Sequence, residues 1–340
     1  MSTNVTLKQI AEALGVSAMT VSRALNNRSN VDENTRQRII KKAKSMGYTP
    51  NHVAKSLVYQ KTFTIGVVIP EISHIFFAQV ISGIEKVAYE MNYQLILTNS
   101  AENYEREKKA IQTLHSQRVD GILVSCSETT EDFSHFEDLI KSGMPLVFFD
   151  RCIDNLGVST VSVNDKTGAK NITRHMIEHG YKKIACLHGP DFSIGKKRLD
   201  GYKEALIENN LPIDSNLIVK SGFLEQGGYT AMSTLLELPK DQWPRAVITV
   251  NDPVAIGAIE RIEEAGLSVP GDIAIAGFSD DIRAGLLKCP LTTVKQPSEE
   301  IGSEAAETLF KIIQNNNGPP KSIELQTKLV IRNSCGCMNQ

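Results

Sequence analysis

Residues 6–27 read TLKQIAEALGVSAMTVSRALNN, and the fold class of the N-terminal region turns on them. Leu7, Ile10, Ala11 and Leu14 fall at i, i+3, i+4 and i+7, which puts one apolar stripe on a helix over about residues 6–13. Gly15 breaks that helix, and Ser17 suits the N-cap of the next, its hydroxyl free to accept an orphan backbone N–H. In the second helix Val21, Ala24 and Leu25 cluster on one side, with Ala18, Met19, Ser22 and Arg23 on the other. Two short helices joined by a tight glycine-containing turn form a helix-turn-helix. The second helix of such a unit enters the major groove and presents its N-terminal residues to base edges. Arg23 has the donors for a bidentate contact to guanine, and Met19 can lie against a thymine methyl.

The surrounding residues carry the same reading outward. Asp32 caps a third helix, Glu33 suits its positive N-terminal end, and Ile39, Ile40, Ala43 and Met46 make its apolar side until Gly47 ends it. After Pro50 about two helical turns follow, to Leu57, a length unstable alone in water that needs support from DNA or a second copy. Residues 1–62 hold ten Lys/Arg against three acids, a balance of +7, whereas the rest of the chain stands at −9. A basic head on an acidic body points to a polyanion partner for the head.

From Phe63 onward the pattern changes. TIGVVIP (64–70), QLILTNS (94–100), GILVSC (121–126), PLVFFD (145–150), KIACLHGP (183–190), LIVKSG (217–222), AVITVND (246–252) and IAIAGFSD (273–280) read as buried strands. Helical stretches lie between them at 77–91, 104–116, 166–179, 196–210, 227–237 and 253–265. Alternating β and α elements give parallel sheets with helices on both faces. The pattern runs twice, before and after about residue 162, which predicts two doubly wound α/β lobes that hinge around a ligand at the carboxyl ends of the strands.

The order TLKQIAEALGVSAMTVSRALNN…V…TRQRI…A…GYTPN…A…L resembles the DNA-binding head of the lactose/galactose repressor family. HGYKKIACLHGP, VNDPVAIGAI, VPGDIAIAGFSD, LTTVKQP and LVIRNSC resemble landmarks of its periplasmic-binding-protein-like core. The resemblance implies a helix-turn-helix head over 1–48, a hinge helix and linker over 49–61, and a two-lobed effector-binding and dimerisation core over 62–335, with a tail over 336–340. Lobe one would take 62–162 and 292–321, and lobe two 163–291 and 322–335. For DNA it implies base reading by Ala18, Met19 and Arg23 and flanking contacts by Thr6, Ser17, Thr20, Ser22, Asn26, Tyr48, Asn51, Ala54 and Lys55. Leu57 would wedge into the minor groove, where unstacking is offset by added contact with bent DNA. For the effector it implies Phe76, Phe77, Asp150 and Arg151 on the first lobe and Ser193, Arg198, Phe223, Asn251, Asp252, Ser279 and Asp280 on the second, with Gln296. Many relatives carry Asp where Ser279 stands. This mixture of carboxylates, amides, guanidinium groups and aromatic faces suits a sugar.

The expected protein is a sequence-specific transcriptional repressor of a sugar-utilisation operon. It would be a homodimer on a pseudopalindromic operator, controlled by a small molecule. A homodimer is favoured because the stretch after residue 334 carries no leucine heptad. A solute-binding protein or a sugar-acting enzyme using the same cleft are the alternatives. Against an enzyme, no G-x-S-x-G elbow and no glycine-rich phosphate loop follows a strand, so no catalytic residue, cofactor or metal is expected. Cys335-Gly-Cys337 reads as two plain thiols, since a metal site normally takes more ligands. No apolar run reaches 18 residues, no secretory leader opens the sequence, and six scattered cysteines fit a reducing compartment. A cytoplasmic location with no membrane partner is therefore expected.

Overall fold

The structure, a computed structural model, describes residues 5–26, 30–48, 61–153, 155–191, 193–315 and 318–337. It divides into two units, Met1–Thr62 and Phe63–Gln340. In the first unit Thr6 opens α1 (Leu7–Leu14) with a capping box. Its hydroxyl accepts from the Gln9 N–H, while Gln9 Oε1 accepts from the Thr6 N–H at 2.8 Å. Gly15 ends the helix at φ +66, a conformation that favours glycine. Ser17 caps α2 (Ala18–Leu25) by accepting from the Thr20 N–H at 3.0 Å, and Asp32 caps α3 (Glu33–Ser45) by accepting from the Thr35 N–H at 3.0 Å. Ile10, Ala11, Val21, Ala24, Ile39 and Ala43 close a small core of their own. Ile40, placed on the apolar side of the third helix by the sequence pattern, is exposed instead. Ile39 and Ala43 already repeat on the core side, and Ile40 lies about 100° round the helix from Ile39. Residues 49–60, with the expected hinge helix, lie outside the described residues.

The second unit holds two parallel sheets. The first runs β11-β5-β4-β3-β1-β2, with β1 Thr64–Ile69, β2 Gln94–Asn99, β3 Gly121–Val124, β4 Leu146–Phe149, β5 Ser159–Val163 and β11 Ser322–Leu325. Side chains alternate along β1. Ile65, Val67 and Ile69 face a core shared with α4 (Ile75–Glu90) and α11 (Ser298–Asn315). Val68 faces the core under α5 (Tyr104–Ser116) and α6 (Ser134–Lys141). The second sheet runs β7-β6-β8-β9, with β6 Ile184–His188, β7 Ile218–Lys220, β8 Ala246–Thr249 and β9 Ala274–Ala276. Helices α7 (Asp165–Glu178), α8 (Ser193–Glu208), α9 (Glu225–Leu236) and α10 (Asp252–Glu264) flank it. Covered on both faces, the central strands of each sheet read as near-continuous apolar runs, which is why they stood out in the sequence.

Two strands, β10 Thr293–Lys295 and β12 Lys328–Val330, pair antiparallel where the chain passes between the lobes. The structure corrects one boundary here. Residues 322–325, assigned to the second lobe by resemblance, form β11 and pair in parallel with β5 at Ile323–Val161. The reason is the crossover. Helix α11 packs on the first lobe, against α4, β3, β4 and β5, and so delivers the chain to the open edge of β5 before it leaves for the second lobe. Helices α4 and α11 approach so closely that a Cβ on Gly83 would collide with the Glu299 carbonyl oxygen, and one on Gly302 with that of Val80. Among the described residues no helix is long and apolar enough to cross a membrane.

Candidate functional site

The carboxyl ends of the strands converge on a cleft between the two lobes. Phe76 and Phe77 come from the start of α4, and Asp150 and Arg151 follow β4. From the other lobe come Arg198 on α8, Phe223 after β7 and Asn251 after β8. Ser279 and Gln296 complete this part of the lining. Nine of the twelve expected effector residues therefore share one cavity wall. Asp150 (φ +57) and Ser279 (φ +123) hold left-handed backbone, a conformation that costs a non-glycine residue about 1–3 kcal/mol and recurs at ligand sites.

Both guanidinium groups are anchored. Arg151 Nη1 donates to the two carboxylate oxygens of Glu102 at 2.7 and 2.8 Å, and its plane lies 3.9 Å from the centre of the Phe223 ring on the opposite lobe. Arg198 Nε donates to Asp165 Oδ1 at 2.8 Å and Nη1 to the Val250 carbonyl at 2.6 Å, while the group rests 3.6 Å from the Phe278 ring centre. Three buried atoms of the lining residues have no hydrogen-bond partner: Arg151 Nε, Arg198 Nη2 and Gln296 Oε1. Arg198 Nη2 sits 2.7 Å from Asp165 Oδ1 in the ion pair but makes no directed hydrogen bond. Burial raises the Asp150 carboxyl to about 7, against the pull of Arg151 and Arg198. Burial likewise raises Asp165, opposed by Arg198.

Three expected residues stand outside this lining. Asp252 is fully buried, and its carboxylate accepts the Asp281 N–H at 2.7 Å and the Thr293 hydroxyl at 2.6 Å. It thereby braces the 279–281 turn against β10, and its neighbours Asn251 and Pro253 take the wall. Asp280 turns away to Arg332, 2.7 Å distant. Ser193 opens α8 at φ +49, and the next residue, Ile194, reaches the cleft.

Sequence reasoning missed His74, Ile75, Ile194, Pro253 and Asp281 on the wall, and Glu102 behind Arg151. Asp281 is held low because Arg283 outweighs the upward push of burial. The doublet Asp280-Asp281 gave no sign of which carboxylate faces inward; the left-handed turn at Ser279 and Asp280 decides it. Glu102 sits three residues beyond β2, and its pairing with Arg151, 49 residues on, left no local signal.

In the head unit Thr6, Ser17, Ala18, Met19, Arg23 and Asn26 are exposed, with Thr20, Ser22 and Tyr48 half-buried. Met19 is 62% exposed, a large apolar side chain left open on the second helix of the motif. Asn51, Ala54, Lys55 and Leu57 lie outside the described residues.

Comparison with known proteins agrees with both units. Residues 6–51 match the bacterial regulatory proteins of the lacI family, and residues 173–335 match a periplasmic binding protein-like domain. The HTH-type transcriptional repressor PurR of Vibrio atlanticus (strain LGP32) is 33% identical over 335 residues, 98% of this chain and 99% of that protein. Among solved structures, the lac repressor dimer bound to operator and the anti-inducer ONPF is 26% identical, with a TM-score of 0.87 over 98% of this chain and 99% of that one. The transcriptional regulator CelR–cellobiose complex is 29% identical, with a TM-score of 0.74 over 97% of this chain and 100% of that one. These relatives are regulators of transcription and not enzymes. With a helix-turn-helix head, two α/β lobes around a cleft and relatives matched over almost their whole length, the chain belongs to the lacI family of bacterial regulatory proteins.

Proposed function

We propose that the chain represses transcription as a homodimer on a pseudopalindromic operator and responds to a neutral polyhydroxyl ligand, a sugar, held in the cleft. The observation that carries the ligand class is the state of the two guanidinium groups. Each is neutralised by a buried carboxylate, and Arg151 Nε is still without a hydrogen-bond partner. An unsatisfied buried donor costs about 1–3 kcal/mol. A ligand hydroxyl removes that cost without importing charge, and Phe76 offers an apolar face to a sugar ring. CelR, similar in fold, was solved with cellobiose, and the lac repressor was solved as a dimer on its operator.

A thermal-shift screen of the whole chain against neutral sugars, sugar phosphates and nucleobases tests the ligand class. A neutral sugar at about 100 times its Kd adds about 2.7 kcal/mol of stability. Hits confined to phosphorylated compounds or nucleobases would overturn the reading. Repeating the titration with operator present measures the coupling, which must be the same factor seen from either site.

Asp150 adds a pH signature. Sugar hydroxyls donate to the ionised carboxylate, so binding favours the charged form and strengthens as pH rises. With the free carboxyl near 7, affinity is expected to rise about tenfold from pH 6 to pH 8 and to level off above. Asp150→Asn should flatten the profile. An equal rise in that variant would assign the effect to another group.

In the head, Arg23→Ala is expected to lower operator affinity by about 1–3 kcal/mol and to relax preference at one base pair. Band-shift titration against the operator and its single-site variants is the measurement. Unchanged affinity and preference would remove Arg23 from base reading.

A further inference from the structure

Outside the cleft and the head, one cluster of chemistry-bearing side chains has no role so far. Cys335 lies in the 3-10 turn Asn333–Cys335, Gly336 follows at φ +78, and Cys337 comes next. Across from them His175, near the end of α7, brings its Nε2 to 3.2 Å from Cys337 Sγ, from 162 residues away in the chain. The donor atoms of His175, Cys335 and Cys337 all lie within 4.8 Å of one another, the one such grouping of His, Cys, Asp and Glu among the described residues. The turn is built for this approach. The Tyr181 hydroxyl donates to the Cys335 carbonyl at 3.1 Å, and a Cβ on Gly336 would stand 2.9 Å from that hydroxyl. His175 and Cys335 are buried, and Cys337 is half-buried.

The two thiols also differ in acidity. Burial pushes both up. At Cys335 the polar groups around it outweigh burial and hold the thiol below its usual range, whereas burial and the neighbouring Cys335 push Cys337 up.

We propose that His175 Nε2 and the sulfurs of Cys335 and Cys337 bind one thiophilic d10 metal ion, Zn(II) or Cu(I). Two thiolates and an imidazole, with no carboxylate among them, select a soft or borderline ion over Mg(II) or Ca(II). Zinc stands about 2.3 Å from sulfur and about 2.0 Å from nitrogen, which sets the donors roughly 3.5–4.0 Å apart, within a side-chain rotation of their present spacing. Three protein ligands complete a trigonal Cu(I) site, or leave a fourth position on Zn(II) for water. The ion ties the 332–337 segment to α7. Arg332 of that segment donates to Asp280 at 2.7 Å and to the Leu291 carbonyl at 2.8 Å, and α7 opens at Asp165, the partner of Arg198. Metal binding therefore braces the second lobe.

The test uses the whole chain, reduced with a phosphine. Zn(II) is titrated against a chromophoric chelator, Cu(I) against bicinchoninate, and Co(II) serves as a spectroscopic stand-in. The expected result is one ion per chain by either titration, a thiolate-to-Co(II) charge-transfer band in the near ultraviolet, and a rise in Tm on loading. Cys337→Ser, at a half-buried position, and His175→Gln should each weaken binding by about 100-fold or more, since loss of even an outer partner costs about 10–100-fold. Their metal-free Tm shows that they still fold, and they decide the matter if Cys335→Ser does not. Cys289→Ser should bind as the parent does. Binding by one of the two ions alone names the ion. The proposal is overturned if the reduced parent chain takes up neither ion at one equivalent, or if Cys337→Ser keeps the parent affinity.

Discussion

Arg198→Ala is expected to cost about 3–5 kcal/mol of stability, read as a lowered urea midpoint, because it leaves a buried charge without its partner. Asp165 is almost fully buried, and one of its oxygens takes hydrogen bonding from Arg198 alone. Removing the guanidinium forces that carboxyl to remain charged in an apolar setting or to take up a proton. The same change empties the space over the Phe278 ring and strips the Val250 carbonyl of its donor. Arg198→Lys keeps the charge but loses the planar fork and the stacking, so an intermediate loss is expected. The double variant Arg198→Met/Asp165→Asn separates the causes. If the orphaned carboxylate dominates, removing its charge recovers more than half of the loss. A single variant within about 1 kcal/mol of the parent would show that the pair does not hold the lobe together.

Gly83→Ala is expected to lower stability by about 3 kcal/mol, through overpacking at the crossing of α4 and α11. The sign makes this informative. Within an isolated helix, alanine in place of glycine stabilises by about 1 kcal/mol. Here the added methyl meets the Glu299 backbone oxygen, which no rotamer change can move. The helices must separate, and α4 carries Phe76 and Phe77 with it, so ligand affinity should fall as well. Ser82→Ala, one residue away and exposed, is the control and should be neutral or slightly stabilising. A Gly83→Ala protein as stable as that control would mean the crossing has slack.

The central strands of both lobes were legible because burial on two faces writes a continuous apolar run into them, as in AVIT at 246–249. The head was legible because its caps and its stripe are local: Thr6, Gly15 and Ser17 act within three residues of their own position. What escaped was set by partners distant in sequence. β5 (STVSV) is rich in hydroxyl residues and shows no apolar run; its strand is set by pairing with its neighbours β4 and β11. Asp252 looked like a ligand group at a strand end and is a brace, since Thr293, 41 residues later, reaches it first. Nor could spacing alone show that Cys335 and Cys337 meet a histidine of α7.

The crossing topology bears on how the protein is made. The head closes its own core by residue 48, whereas the first sheet waits for α11 and β11, ending at Leu325. On the ribosome, at about 5–20 residues per second, the nascent chain spends roughly 14–55 s with a finished DNA-reading head and an unfinished body. Throughout that interval the first lobe lacks its edge strand and its Gly302-bearing helix, so the cleft has no complete wall. Control by a small molecule therefore begins only once translation has passed residue 325.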